Sequence, residues 1–449
     1  MFQTSLERTV RLIERLKNLH DGPRVLPDVI RLGDAAVPAL EAILRGPSQA
    51  VPHSRCFAAD ALGAIGTPSS TAALVAALHD SIGRNPDPVS LEAEGVVVDR
   101  IAEHLGIRST PEAAEALLEA LHRRPYPGCA RSLGRLRESR AIPLLIECLN
   151  DDGARPAAIE ALRRFGRAAG ESLCRMLTQT RLAAGLESPS RIDGRAGAVR
   201  LLGELADQGL APAQAALVLR DALYDRQRKV RLEGALALAR RGGDAAEKAC
   251  ATLALALDEP DWVRAEEIAR ALVGVGSPAE EIVIALISAA PMDESGRRRR
   301  LRAVAVAGQL RASSATAPLA ALARAPDPKL RLAAVTALAQ IPSVAPGNFA
   351  PFVRDPVAIV RRWAVEALLK QQALDIDRAA LLLGDSDRGV RELAHVRLRE
   401  CGAAALPVLK RILRSFGSPL RGLRSRARLW CHACASLIQA WRTTPQRMR

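Results

Sequence analysis

Apolar and polar positions recur along the chain in a fixed order. Seven times an arginine is followed three residues later by a small residue and seven residues later by a leucine. The copies are Arg55/Ala58/Leu62, Arg155/Ala158/Leu162, Arg195/Ala198/Leu202, Arg231/Gly234/Leu238, Arg331/Ala334/Leu338, Arg361/Ala364/Leu368 and Arg391/Ala394/Leu398. Offsets of three and seven put the small residue and the leucine near one helical face, so each copy predicts the opening of an amphipathic helix. The last three copies begin thirty residues apart. Such a period predicts stacked copies of one unit that cannot bury its apolar face alone. The expected fold is all-α, a right-handed α-solenoid of stacked antiparallel helix pairs, about eleven units long.

The unit reads most fully near the end. Residues 346–353 predict a short first helix, Asp355-Pro356 a turn and residues 360–370 a second helix. Residues 377–383, Asp385-Ser386-Asp387 and residues 390–400 repeat that order. Asp stands five residues before Val at Asp225/Val230, Asp258/Val263, Asp355/Val360 and Asp385/Val390. There its carboxylate is suited to capping the free N–H groups that open the second helix. Gly66-Thr67-Pro68 reads as a helix stop, an N-cap and a first-turn proline, and Gly276-Ser277-Pro278 is expected to repeat it. The predicted organisation is a capping helix over 1–29, the solenoid over 30–417, and a basic capping helix and tail over 418–449. Segments 80–88, 181–194 and 291–300 exceed the period, as tolerated loops or as binding insertions on one face.

The Asp-x(4)-Val-Arg opening followed by Ala and Leu core positions resembles the HEAT repeat over residues 30–415, in the short bacterial variety also seen in phycobilin lyase subunits. The resemblance implies that Asp355, Arg361, Asp385 and Arg391 belong to a ladder of side-chain bonds between neighbouring turns. It implies architecture rather than activity. Deoxyhypusine hydroxylase, on a similar scaffold, builds a di-iron site from His-Glu dipeptides, and none of the seven histidines here precedes a Glu. HEAT-like DNA glycosylases use tryptophans and an aspartate. The nearest set is Asp258, Asp261, Trp262 and Arg264, where Asp258 and Arg264 already hold repeat positions and Trp262 is expected to pack at a helix start. A phycobilin-lyase-like, chromophore-handling role is the remote alternative and brings no portable motif. Cys431-His432-x-Cys434 lacks the further ligands of a tetrahedral zinc site. No phosphate-binding loop, nucleophile elbow or dinucleotide fingerprint is visible. The expectation is therefore no catalytic residue, no metal and no cofactor.

Composition adds three points. Apolar residues make up 49% but aromatics only 3%, which suits closely packed Ala- and Leu-rich helices. The eight cysteines lie in apolar helical contexts and the N-terminus shows no secretory h-region, so buried thiols in a reducing cytoplasm are expected. No apolar run is long enough to predict a transmembrane helix.

Charge is unevenly placed. Of the net +15, the segment after Glu400 contributes +10 with no Asp or Glu, which leaves +5 for the first 400 residues. Arg297, Arg298, Arg299 and Arg300 enter a second helix just after Asp293 and Glu294. They read either as a solvated helix start or as guanidinium forks for phosphate or carboxylate. Arg421, Arg424, Arg426 and Arg428 accompany Trp430, Trp441 and an apolar stripe. That segment reads as a capping helix, a contact for nucleic-acid phosphates or a helix lying on anionic lipid. Arginine is preferred chain-wide, Lys being only 6 of 64 basic residues, which weakens both anion readings.

The sequence thus predicts a non-catalytic scaffold or adaptor that binds an unidentified protein partner along its second helices. Glu266, Arg270, Arg362, Glu366 and Glu392, off the core face, are the expected contacts. The alternative is a nucleic-acid-associated repeat protein acting through its basic C-terminus.

Overall fold

A computed structural model describes residues 2–47, 52–84, 87–182, 187–415 and residue 435. Every regular element among them is helical, α or 3-10. The helices alternate between two rows. Eleven consecutive pairs run from Gly33 to Cys401, the number the period predicted. The chain forms two units, residues 1–241 and 242–449.

In the first unit the second row is Gly22–Ile30, His53–Ile65, Pro88–Leu105, Pro127–Leu136, Arg155–Phe165, Pro189–Asp207 and Arg228–Arg241, each helix packed on the next. In the second unit it is Trp262–Val275, Glu294–Leu310, Pro328–Gln340, Ala358–Lys370 and Arg388–Cys401, again in unbroken contact. First-row helices lie against their partners and are shorter on the whole. The repeated small residue and leucine are buried in all seven copies. Gly234 shows why the residue must be small: a Cβ there would lie 2.8 Å from the Ala222 Cβ, on the first helix of the same pair.

The punctuation follows sequence with three differences. Gly66 closes its helix at φ 72°, and the Thr67 side chain accepts from the Ser70 N–H ahead of Pro68, as predicted. At the second site Gly276 is itself the N-cap and Ser277 is already helical. Asp225, Asp355 and Asp385 do not cap helices. Each accepts the backbone N–H two residues on (Gln227, Val357, Asp387); the helix after Asp385 is capped by Asp387 and the one after Asp258 by Asp261, while the helix after Asp355 opens at Val357 without a side-chain cap. The first helix expected over 346–353 is replaced by two 3-10 segments, Pro346–Asn348 and Ala350–Arg354, as suits Pro351, which would lack a backbone donor inside that helix.

Residues 1–29, read as one capping helix, contain Phe2–Leu16 and the start of Gly22–Ile30. Among the described residues of the over-long segments, Pro189–Asp207 and Glu294–Leu310 start within two of them and Pro68–Gly83 ends within the third. The capping helix and tail expected over 418–449, with Cys431 and Cys434, lie outside the described residues apart from residue 435.

Candidate functional site

The ladder is built from one arginine per copy. In Arg361, Nη1 donates to the Asp355 and Pro356 carbonyls of its own turn. Its Nε and Nη2 form a fork to Asp385 in the next turn at 2.8 and 2.6 Å. Arg331 does the same, to the Ala325 and Pro326 carbonyls and to Asp355 at 2.9 and 3.2 Å. These carboxylates raise both guanidinium pKa values above their ordinary level through hydrogen bonding. Arg195 reaches Asp225, and Arg55 reaches Glu94 on the lengthened next helix, at 2.6 and 2.8 Å. Arg55 and Glu94 are the most enclosed of these pairs, with side chains 4% and 2% exposed. Arg331 with Asp355 and Arg361 with Asp385 thus bond neighbouring turns, whereas Arg391 bonds only the Asp385 and Ser386 carbonyls of its own turn.

Of the arginines proposed to bind anions, three are engaged within the protein. Arg298 Nε donates to the Asp258 carbonyl, Arg299 Nη2 to its carboxylate, and Arg300 Nε to the Ile287 carbonyl at 2.7 Å. Arg302 adds bonds to the Leu257 and Glu259 carbonyls. The run clamps the preceding turn. Arg297 alone points outward, 3.6 Å from Glu294. Arg421, Arg424, Arg426 and Arg428 lie outside the described residues.

The predicted contacts fall off the core face, two residues before or after a buried small or apolar residue of a second helix. Arg362 and Glu366 flank Ala364, Glu392 precedes Ala394, and Glu266 and Arg270 flank Ile268. Arg362 and Glu366 stand on Ala358–Lys370 and Glu392 on Arg388–Cys401, two helices that pack on each other. Arg362 stretches toward Asp387 (4.0 Å) and lies across Gly389, where an added Cβ would meet its Nε at 2.5 Å. Glu366 pairs with Lys370 at 2.9 Å and Glu392 with Arg388 at 2.7 Å, both at the surface.

Glu266 and Arg270 stand apart from that group. Two second helices intervene, and their equivalent positions are Leu301 and Ala305, then Leu332 and Thr336. The face is thus charged at either end and apolar or neutral between. Sequence reading missed the middle because it sought charges; counting two residues either side of each buried alanine finds it.

A 660 Å³ groove opens where the 3-10 segment Ala350–Arg354 replaces a first helix. Pro351, Arg354, Arg378 and Leu381 line it, with the Arg361–Asp385 pair also in its wall. In the first unit a 620 Å³ groove lies between Phe2–Leu16 and Val37–Leu44, lined by Val10, Ile13, Pro38 and Ile43.

Elements of chemistry are sparse among the described residues. No group of three metal-ligating side chains occurs. His104 is held by Asp60 at 2.9 Å. Trp262 does not pack at its helix start as expected but is 72% exposed, directly after the N-cap Asp261. Asp258 is buried and held by Ser295 and Arg299. Cysteines 56, 129, 148, 174 and 250 are buried free thiols, as predicted, whereas Cys401 is only half-buried. Burial raises all five pKa values, Cys148 to about 12 and Cys174 to about 11. No described helix is long and apolar enough to cross a membrane.

Comparison with known proteins agrees with this geometry. The family model for PBS lyase HEAT-like repeats matches residues 54–80 and 128–151. No curated protein sequence matches the chain. Among solved structures, the chain is similar to Kap121p (13% identity, TM-score 0.56), covering 97% of this chain and 53% of that one. It is similar to importin beta (14%, TM-score 0.56), covering 96% and 67%. It is also similar to Kap95p (12%, TM-score 0.57), covering 98% and 68%, a protein whose binding switches the loops of RanGDP to the GTP-bound conformation. The chain spans about half the length of Kap121p. At these identities the likeness is one of fold: the chain is an α-solenoid, with HEAT-like repeats matched at residues 54–80 and 128–151.

Proposed function

We propose that this protein is a non-catalytic scaffold that binds a partner protein along the second-helix face of residues 262–401. The observation that carries the reading is that face itself. It runs across five packed helices, Glu266 and Arg270 at one end, Arg362, Glu366 and Glu392 at the other, Leu301 and Leu332 between. Such a face suits an extended or helical segment with an apolar centre and charged flanks. Kap95p, on the same fold, binds a protein.

The test is a combined charge-reversal variant, E266K, R270E, E366K and E392K, of the full chain. Helicity and melting temperature should stay at the wild-type values, since exposed pairs contribute little to stability. Capture of the natural partner should fall at least tenfold. Undiminished capture by a folded variant would sink this assignment of the face. Readings based on nucleic acid and anionic lipid rest on Arg421, Arg424, Arg426 and Arg428, and Arg-to-Gln changes there test them separately.

A further inference from the structure

The groove beside Ala350–Arg354 is walled by first-row elements rather than by the second-helix face. One wall is the 3-10 segment itself and the other is the helix Ile376–Leu382. The Arg361–Asp385 fork joins the turns that follow them. At 660 Å³ the groove falls within the range of about 300–1,000 Å³ in which proteins hold ligands. Its walls present apolar surface to water: Pro351 and Pro356 are exposed, and Leu381 is 55% exposed. A leucine left open beside a concavity marks a contact surface more than a scattered surface leucine does.

The charges of the groove are unequally engaged. Both carboxylates in its wall are taken. Asp355 accepts the Arg331 fork and the Val357 N–H, and Asp385 accepts the Arg361 fork and the Asp387 N–H. The two outer guanidiniums are not. Arg354 is exposed and has no hydrogen bond or ion pair among the described residues. Arg378, on the opposite wall, meets Asp375 at 3.2 Å, but those side chains are 46% and 51% exposed. Solvent competes for such a pair, which contributes little and leaves the guanidinium able to turn. The groove therefore offers one accessible cation from each wall and no carboxylate to neutralise them.

We propose that this groove docks a short segment of a partner protein that carries both acidic and apolar side chains. An Asp or Glu carboxylate is held between Arg354 and Arg378, and an apolar side chain covers Pro351 and Leu381. A carboxylate gives each guanidinium a charge-assisted acceptor that the fold does not supply. A basic segment would set like charges against both arginines, and a purely acidic one would leave Leu381 in water. The proposal rests on the scaffold reading only in taking the partner to be a protein; the surface is a different one.

The test is fluorescence anisotropy on the full chain with a short fluorescein-labelled peptide of Glu and Leu interspersed with Gly and Ser. The wild type should bind it. Arg354→Glu, Arg378→Glu and Leu381→Ser should each weaken binding at least tenfold. All three side chains are exposed, so the variants should keep the wild-type circular dichroism and melting temperature. Peptides with Gln for Glu, or with Gly for Leu, should bind the wild type at least tenfold more weakly. Changing Arg421, Arg424, Arg426 and Arg428 to Gln controls for general attraction to a basic chain. At physiological salt it should alter binding by less than about threefold, because remote charges are screened. No binding by the wild type, undiminished binding by the folded Arg354→Glu or Leu381→Ser protein, or equal binding of the Gln peptide overturns the proposal. Loss of the peptide with the four C-terminal changes overturns it too, since the cations at work would then be those. None of these readouts involves Glu266, Arg270, Glu366 or Glu392, so a failure here and a failure of the face variant are told apart.

Discussion

Arg55 and Glu94 are a buried pair whose energetics differ from those of the many surface pairs on this chain. Both side chains are almost wholly enclosed, and Arg55 also bonds to the Leu44 carbonyl and the Ser81 hydroxyl. Removing Arg55 leaves the buried Glu94 with the longer Arg84 pair, at 3.6 Å, in place of a two-bond fork. Arg55→Met should lower stability by about 3–5 kcal/mol, whereas Arg55→Met with Glu94→Leu should recover most of that loss. Urea unfolding of the three proteins measures it. The cysteines give a second check at this scale. Their raised pKa values keep the buried thiols neutral at pH 8, and the thiolate is the reactive form. Cys129, Cys148 and Cys174 should therefore resist iodoacetamide in the native protein and react once urea unfolds it, as peptide mass spectrometry will show. Burial of these thiols was legible because each sits in an apolar helical stretch. The Glu94 partner of Arg55 was not, since it lies thirty-nine residues on rather than at the ladder spacing of twenty-four.

Helices and turns follow from the repeated motif more surely than from their caps. The Arg, small residue and leucine mark every second helix they were taken to mark, because burial of that stripe is what stacking requires. The role of the aspartates was ambiguous for a physical reason. A carboxylate a few residues ahead of a helix can cap it or hold the turn and pair with an arginine, and composition does not distinguish the two. At Asp385 and Asp387 both roles occur two residues apart. Two substitutions examine this level. Thr67→Ala removes the side chain that accepts from Ser70 and should cost about 1 kcal/mol. Gly234→Ala has better helix propensity, yet its methyl would collide with Ala222. It should therefore destabilise, by roughly 1–3 kcal/mol, where an exposed Gly→Ala change would stabilise. Thermal melts followed by circular dichroism give both values.

At the scale of the whole molecule, the repeat accounts for the fold, and the face along residues 262–401 accounts for the function proposed. The fold was legible because every unit states it again. The partner-binding face was legible only in part: charge marked Glu266, Arg270, Arg362, Glu366 and Glu392, while Leu301 and Leu332 became visible once the helices were aligned by their buried alanines. The arginine run at 297–300 was ambiguous from sequence because its acceptors are mostly backbone carbonyls, which sequence does not display. The most direct test is quantitative affinity capture from native lysate, with nuclease, comparing wild type with E266K/R270E/E366K/E392K at matched helicity and melting temperature. The scaffold account predicts a small set of nuclease-resistant partners that the variant loses at least tenfold. The same partners retained by the variant, or a capture that vanishes with nuclease, would contradict it.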